Sequence, residues 1–392
     1  MEKLDAKNSF NKEKHEKIAI MHIRDSEGIF GGERTILSLG KYINKEQFSL
    51  FLICLVNKNM RSEQFMSRAG QVGFHVIPLP VKGRIDISAI IKMRRILRSY
   101  GIAIIHSHDF KSDLYGLLAS LNLGIRRVAT AHGSTHDSWR KRLYLFVNEY
   151  VIYKFIDKVI PVSADLAKHL RNQHIKPECI KVIQNGIDVQ LFKGESENGK
   201  VGASSDSFEL RNGRKTFGVI GRLFPDKGHR FFVKAFANVL KTHPSIRGMI
   251  FSDGPSKDEI LKQVEKMNLQ NHIHLCGMKP DIKDVYESID YLIVPSLREG
   301  LPYVLLEAMI NEIPVVASAV GDIPSVVENE VTGYLVRPGD VEGIEKAMIR
   351  LIEDPMKTKE MTKKGYRVVS ERFTAERMAR ENEEVYRSLL TG

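Results

Sequence analysis

Cysteine is scarce in this sequence, and long apolar runs are missing. The three cysteines among 392 residues, Cys54, Cys179 and Cys276, lie far apart, each in or beside an apolar stretch. With no CxxC pair they offer neither a zinc framework nor a disulfide scaffold, and they suit a reducing cytosol. No stretch reaches the roughly 18 to 20 uncharged apolar residues that a membrane-crossing helix needs. The first seventeen residues are rich in Lys, Glu and Asn, so neither a signal peptide nor an anchor is expected. There is no Asp-x-Asp pair to hold a divalent metal. Nor are basic residues interleaved with a face of aromatics, so nucleic acid is not an expected partner.

What remains is the composition of a folded globular protein, 43% hydrophobic and 27% charged, on a chain long enough for two domains. The net charge of +11 is unevenly placed. Residues 1–192 hold 30 Lys and Arg against 18 Asp and Glu, leaving 29 against 30 for the rest. The excess positive charge of the first half predicts an anionic partner there, such as phospholipid or a lipid phosphate.

Short apolar runs rich in β-branched residues mark strands at 17–23, 48–56, 102–105 and 127–131. Amphipathic stretches at 35–42, 87–100 and 111–121 read as the helices between them. Nearly continuous apolar strands alternating with helices predict an α/β unit with a parallel sheet covered on both faces. The segment 193–215, with its run GESENGKVGASSDS, has no periodicity and reads as a linker. The pattern then restarts, with strands expected at 216–220, 248–251, 272–275, 291–294 and 314–317. The resulting division is a first domain over 1–192, a linker over 193–215, a second domain over 216–370 and a C-terminal segment over 371–392. In open sheets of this kind ligands bind beyond the carboxyl ends of the strands, so a cleft between two facing domains is the expected site.

The strand-end motifs therefore carry the chemistry. In the second domain Gly221-Arg222-Leu223 closes a strand, and Asp226-Lys227-Gly228-His229 opens a helix. Glycine permits close backbone approach, a helix start favours anions, and two cations suit a diphosphate. A solvated basic turn would read the same way. Further on, Pro295-Ser296-Leu297-Arg298-Glu299-Gly300-Leu301-Pro302 follows a strand and leads into a helix bearing Glu307. Glu307 is placed either to accept two ribose hydroxyls or simply to oppose the helix dipole. In the first domain His106 and His108 form a His-x-His-Asp cluster with Asp109, and His132 ends another strand. Without a placed third and fourth ligand, hydrogen-bonded loop histidines are expected there rather than a metal site.

Taken in order, these motifs resemble the retaining GT-B glycosyltransferases of glycosyltransferase family 4. The likeness rests on Glu-x7-Glu within PSLREGLPYVLLEAM, on PVVAS and Gly321-Asp322-Ile323-Pro324, and on GRLFPDKG. It is extended by Asp253-Gly254-Pro255, by the run Val182 to Asp188, and by Gly28 to Glu33, so it spans nearly the whole chain. The resemblance implies two Rossmann-like domains facing across a cleft, with a C-terminal helix crossing back to the first. It implies that Arg222 and Lys227 contact the donor diphosphate, Glu307 the ribose, and Glu299 the transferred sugar. Gly254, Gly300, Leu301 and Pro302 would line that site. Gly31, Gly32 and Asn185 would contact substrate from the first domain, and His132 matches the catalytic histidine. The implied donor is a nucleotide diphosphate sugar, used without metal or other cofactor. The implied acceptor is a glycolipid or glycan, in the assembly of a bacterial surface polysaccharide. Tyr303, Asn311-Glu312-Ile313 and Asp322 depart from the usual pattern near the donor site.

The run from Ser138 to Phe155 combines the only tryptophan, Trp139, with basic and aromatic residues. It suits either a helix at a lipid interface or an ordinary core helix with a basic face. With Arg94, Arg95, Arg98, Arg126 and Arg127 it makes the first domain a candidate for peripheral contact with an anionic membrane. A sugar-nucleotide epimerase and a non-catalytic nucleotide-sugar-binding protein are the competing functions. The first would release epimerised sugar without an acceptor.

Overall fold

The computed structural model describes residues 17–26, 28–57, 62–83, 85–132, 146–192, 214–279 and 281–391. The chain divides into two compact units. Unit 1 comprises Met1–Gly186 with Ala375–Gly392, and unit 2 comprises Ile187–Thr374. The linker expected over 193–215 falls outside the described residues up to residue 213, and Lys215 already opens a strand.

Unit 1 is built on β1 (Ile18–Asp25), β2 (Phe48–Val56), β3 (His75–Pro80), β4 (Ile104–Ser107), β5 (Arg126–Ala131) and β6 (Lys158–Pro161). All are parallel, in the order β3-β2-β1-β4-β5-β6. Strand β2 shows why the sequence reads as continuously apolar. Leu50, Leu52 and Cys54 enter the core on one face, and Phe51, Ile53 and Leu55 enter that on the other. The helix Ala375–Leu390 covers the first of these faces with Met378, Val385, Tyr386 and Leu389, the apolar stripe visible in its sequence.

Unit 2 repeats the plan with β7 (Lys215–Ile220), β8 (Ile246–Phe251), β9 (Ile273–Gly277), β10 (Tyr291–Val294), β11 (Val315–Ser318) and β12 (Tyr334–Val336). The order is β12-β11-β10-β7-β8-β9, again parallel throughout. Phe217 and Val219 of β7 pack with Phe232 and Phe236 of the helix His229–Thr242 on one face. Met249 and Phe251 of β8 pack with Leu305, Leu306 and Met309 of the helix Tyr303–Ile310 on the other. In each unit the strand order reverses beside the first strand, between β1 and β4 and between β7 and β10. That is where an open α/β sheet leaves a crevice at its carboxyl edge.

Candidate active site

In unit 2 four strand-end turns interlock at that crevice. The turn after β7 is tied to the turn after β8 by Leu223 N–H to Asp253 O at 3.0 Å and by Ser256 N–H to Leu223 O at 2.9 Å. It is tied to the turn after β10 by Leu297 N–H to Asp226 O at 2.7 Å. Gly228, at φ +69°, begins the helix His229–Thr242, and a Cβ there would stand 1.9 Å from Pro295 O. The turn after β11 closes the set, because Asp322 N–H donates to Gly300 O at 2.9 Å. Gly321 is left-handed at φ +54°, and a Cβ on it would meet Glu299 O at 2.2 Å. Glycine is required at both positions by backbone contact as well as by conformation.

These turns bring Lys227 and Glu299 together. The Lys227 ammonium donates to Glu299 Oε1 at 2.7 Å, and the Ser296 hydroxyl donates to the same oxygen at 2.8 Å. Both charged groups are largely covered, so the pair is screened less than a surface ion pair. Arg222 is exposed on the adjoining turn, its guanidinium 4.9 Å from the centre of the Phe224 ring. Gly254 stands on the turn after β8, where a Cβ would meet Leu223 O at 2.6 Å. Leu301 is buried, while Gly300 and Pro302 are partly covered. Glu307 lies one turn into the helix Tyr303–Ile310 and is buried, and the Tyr286 hydroxyl donates to its Oε2 at 2.7 Å.

Unit 1 has its own constellation at the ends of β1, β4 and β5. Gly31 and Gly32 start the helix Gly31–Tyr42. Arg24, at the end of β1, donates from Nε to Glu33 Oε1 at 2.8 Å and from Nη1 to His108 O at 2.7 Å. Glu33 Oε2 in turn accepts from Phe30 N–H at 3.0 Å, so the carboxylate pins the loop before the helix. A Cβ on Gly32 would come within 2.9 Å of the Arg24 guanidinium. The Thr35 hydroxyl reaches Gly31 O at 3.1 Å and Asn185 Oδ1 at 3.3 Å, which joins the glycine turn to Asn185.

Four histidines stack behind this loop. His22 Nδ1 lies 2.9 Å from His108 Nε2, and His108 Nδ1 lies 3.5 Å from His132 Nε2. His106 stacks on His108 with ring centres 4.3 Å apart, and hydroxyls hold both its nitrogens at 2.6 Å, Tyr386 at Nδ1 and Thr130 at Nε2. Burial pushes His22 and His132 down to about 3, and Arg24 adds to the effect on His132. Burial also holds His106 and His108 well below the usual imidazole range, with neighbouring histidines acting in the same sense. All four are neutral near pH 7. Ligand atoms of His22, His106 and His108 fall within 4.8 Å of one another. However, His106 is saturated by hydroxyls and His22 already shares a proton with His108, which is the geometry of a hydrogen-bonded stack. Beside it Asp113 is buried, accepts from Ser107 Oγ at 2.5 Å and Asn148 Nδ2 at 2.8 Å, and is pushed up by burial to about 7.

The structure thus places Arg222, Lys227, Gly254, Glu299, Gly300, Leu301 and Pro302 on interlocked turns of unit 2, with Glu307 buried in the helix that follows. It groups Gly31, Gly32, Asn185 and His132 at the carboxyl edge of unit 1. His106, expected from sequence to be a hydrogen-bonded loop histidine, is hydrogen-bonded but sealed inside unit 1 between Tyr386 and Thr130. Sequence reading missed Ser296 and Tyr286 as partners of the two glutamates, and His22 as a member of the histidine stack. Tyr286 lies 21 residues from Glu307 on another helix and His22 lies 86 from His108, so no local spacing announces either pair.

Comparison with known proteins supplies the family. Residues 29–191 match the family model described as Glycosyltransferase Family 4, and residues 202–368 match Glycosyl transferases group 1. The chain is 25% identical over 359 residues to the UDP-Gal:alpha-D-GlcNAc-diphosphoundecaprenol alpha-1,3-galactosyltransferase of Escherichia coli, covering 88% of this chain and 90% of that one. It is 25% identical over 312 residues to the putative glycosyltransferase EpsF of Bacillus subtilis, covering 76% and 78%. Among solved structures, Anabaena HepE in complex with UDP and glucose superposes with a TM-score of 0.80 at 22% identity, over 95% of this chain and 100% of that one.

Proposed function

The chain belongs to glycosyltransferase family 4 and has the GT-B fold, and from that premise we propose a specific transfer reaction. A sugar moves from a nucleotide diphosphate donor, UDP-linked, to a glycolipid or glycan acceptor held at a membrane. The anomeric configuration is retained and no metal is used. The observation that carries this reading is the convergence of four strand-end turns on the Lys227–Glu299 pair, with Arg222 beside it. Donors of the UDP class are favoured because the Escherichia coli relative is named for UDP-Gal and HepE was solved with UDP and glucose.

In this mechanism Arg222 and Lys227 neutralise the diphosphate as the bond from the anomeric carbon to the phosphate oxygen breaks, the role a divalent cation plays elsewhere. Glu307 accepts the ribose hydroxyls. Gly254, Gly300, Leu301 and Pro302 supply close-approaching backbone and walls. Glu299, oriented by Lys227 and Ser296, positions the sugar and forms no adduct. The acceptor oxygen bonds to the anomeric carbon on the face the phosphate leaves, and its proton passes to a phosphate oxygen. Gly31, Gly32, Asn185 and His132 contact substrate from unit 1.

The membrane part of the proposal rests on charge and exposed apolar surface. On the helix Ile87–Ser99, Ile87 is 70% and Ile91 47% exposed, and Arg95 and Arg98 continue that stripe toward its C-terminus. Of the run 138–155, residues 138–145 lie outside the described residues, while Phe146, Val151 and Phe155 are exposed. The Escherichia coli relative's name gives a diphosphoundecaprenol-linked acceptor, which sets the expected task at the cytoplasmic face of a membrane in surface-glycan assembly. No helix of the described residues is long and apolar enough to cross a membrane.

The test is calorimetric binding and nucleotide release against UDP-, GDP- and ADP-sugars with chelator present, followed by transfer to diphosphopolyprenol-linked sugar in anionic vesicles. Binding of one UDP-sugar with retained anomeric product supports the reading. Strict dependence on added divalent metal overturns its metal-free part, and free epimerised sugar without acceptor overturns the transfer.

A further inference from the structure

We infer that His22 and His108 are positioning residues that fix the tautomer of His132, keeping its proton on Nδ1 and its Nε2 turned inward. The inference rests on the proposed reading of His132 as a substrate-contacting residue and adds how that histidine is prepared.

The argument follows the protons along the stack. His22 Nε2 is buried and has no hydrogen-bond partner. A bare lone pair in such a place costs less than a stranded N–H, since orphaned donors are the rarer defect in folded proteins. His22 therefore carries its proton on Nδ1, which faces His108 Nε2 at 2.9 Å and donates to it. His108 must then accept at Nε2 and carry its own proton on Nδ1. That proton points at His132 Nε2, 3.5 Å away, so His132 accepts there and keeps its proton on Nδ1, the ring nitrogen left for a substrate.

The surroundings keep the chain neutral and directional. Arg24 donates to His108 O and its positive charge disfavours an imidazolium at His108 or His132, as burial does. His106 takes no part, because Tyr386 and Thr130 occupy both its nitrogens, and it serves as the wall against which His108 stacks. His132 directly follows β5 and stands at the carboxyl edge of unit 1, whereas His22 and His108 are sealed below it. A fixed tautomer matters here because a neutral imidazole can donate from only one nitrogen.

The experiment is long-range 15N–1H correlation NMR on the full chain labelled at histidine, with resonances assigned by single substitution. In the wild type His132 should show the Nδ1–H pattern; the Nε2–H pattern overturns the inference. His22→Leu removes the first donor and should convert His132 to a mixture of tautomers, lowering kcat with donor KM unchanged. His22→Asn, whose amide can donate from the Nδ1 position, should restore both the spectrum and kcat. A His22→Leu protein with an unaltered His132 spectrum also overturns it. Full transfer activity in His132→Ala would instead overturn the role assigned to His132, a failure the NMR pattern separates from this one.

Discussion

Lys227 and Glu299, 72 residues apart in sequence, meet at 2.7 Å, the ammonium of the turn after β7 donating to the carboxylate of the turn after β10. The two residues assigned to diphosphate and sugar are therefore coupled before any donor arrives. Replacing either one disturbs both assignments. Lys227→Gln is expected to lower kcat/KM by about 10²–10³-fold, the range for removing one preorganised donor aimed at developing negative charge. Glu299→Gln should fall comparably, with thermal midpoints close to wild type. Undiminished product formation in either variant, followed by nucleotide release, would remove the pair from the mechanism.

Gly321 tests how tightly the donor loop is built. Alanine there would need a left-handed backbone and would place a methyl 2.2 Å from Glu299 O and 2.6 Å from Gly300 O. Gly321→Ala should raise donor KM, lower kcat and cost roughly 1–3 kcal/mol of stability. Gly277→Ala is the control, because Gly277 is also left-handed but has nothing within 4 Å of its would-be Cβ. Equal effects at the two positions would mean that conformation alone, and not the contact with Glu299, limits the site.

Much of this architecture was legible from the sequence, and the failures have physical causes. The strands at 48–56 and 291–294 were read to the residue because both are continuous apolar runs buried on both faces. Strands β3, β6 and β12 were not read, and all three are sheet edges. β3 carries Pro78 and Pro80, tolerated only where a strand lacks a neighbour on one side. The loops bearing Arg222, Lys227 and Glu299 were legible because strand-end motifs are local. The Tyr286–Glu307 bond and the His22–His108 contact join distant segments, and nothing in either segment alone encodes the other.

The histidine stack predicts acid sensitivity with a definite sign. His22 is held at about 3 in the folded chain, below its ordinary 6.5, so between those values the unfolded chain binds more protons than the folded one. Stability is then full above about pH 6.5 and is lost as pH falls toward 3, by on the order of 4 kcal/mol from this residue alone. His106, His108 and His132 act in the same direction. Asp113 opposes them, because a carboxyl raised to about 7 is protonated in the fold and ionised in the unfolded chain between about 4 and 7. Urea midpoints should therefore drop from pH 7.5 to pH 5, and more steeply in Asp113→Asn. A flat profile in the wild type would contradict the buried neutral stack.

Tyr286→Phe tests whether the Glu307 carboxylate serves donor binding or chemistry. The Tyr286 hydroxyl donates to Glu307 Oε2 at 2.7 Å and so helps to fix the carboxylate proposed to meet the ribose. Tyr286→Phe should loosen that carboxylate and raise donor KM several-fold with little change in kcat, since a ribose contact is made equally in ground and transition states. A fall in kcat at constant KM would place Glu307 with the reacting atoms and not with the ribose.

The basic, apolar stripe of the helix Ile87–Ser99 makes the membrane proposal quantitative. Attraction of Arg95 and Arg98 to an anionic surface is worth about 1 kcal/mol per residue near the headgroups and fades within a Debye length, so added salt must weaken it. Insertion of Ile87 and Ile91 contributes apolar burial that salt does not screen. The two contributions can therefore be told apart in one sedimentation assay with vesicles of anionic and zwitterionic lipid. Arg95→Glu with Arg98→Glu should abolish the preference for anionic vesicles, whereas Ile87→Ser with Ile91→Ser should weaken binding while keeping its salt dependence. Neither pair lies among the residues assigned to donor binding, so activity on a water-soluble acceptor should survive in both. If binding to anionic vesicles at low salt is unchanged by both pairs, this helix is not the contact surface.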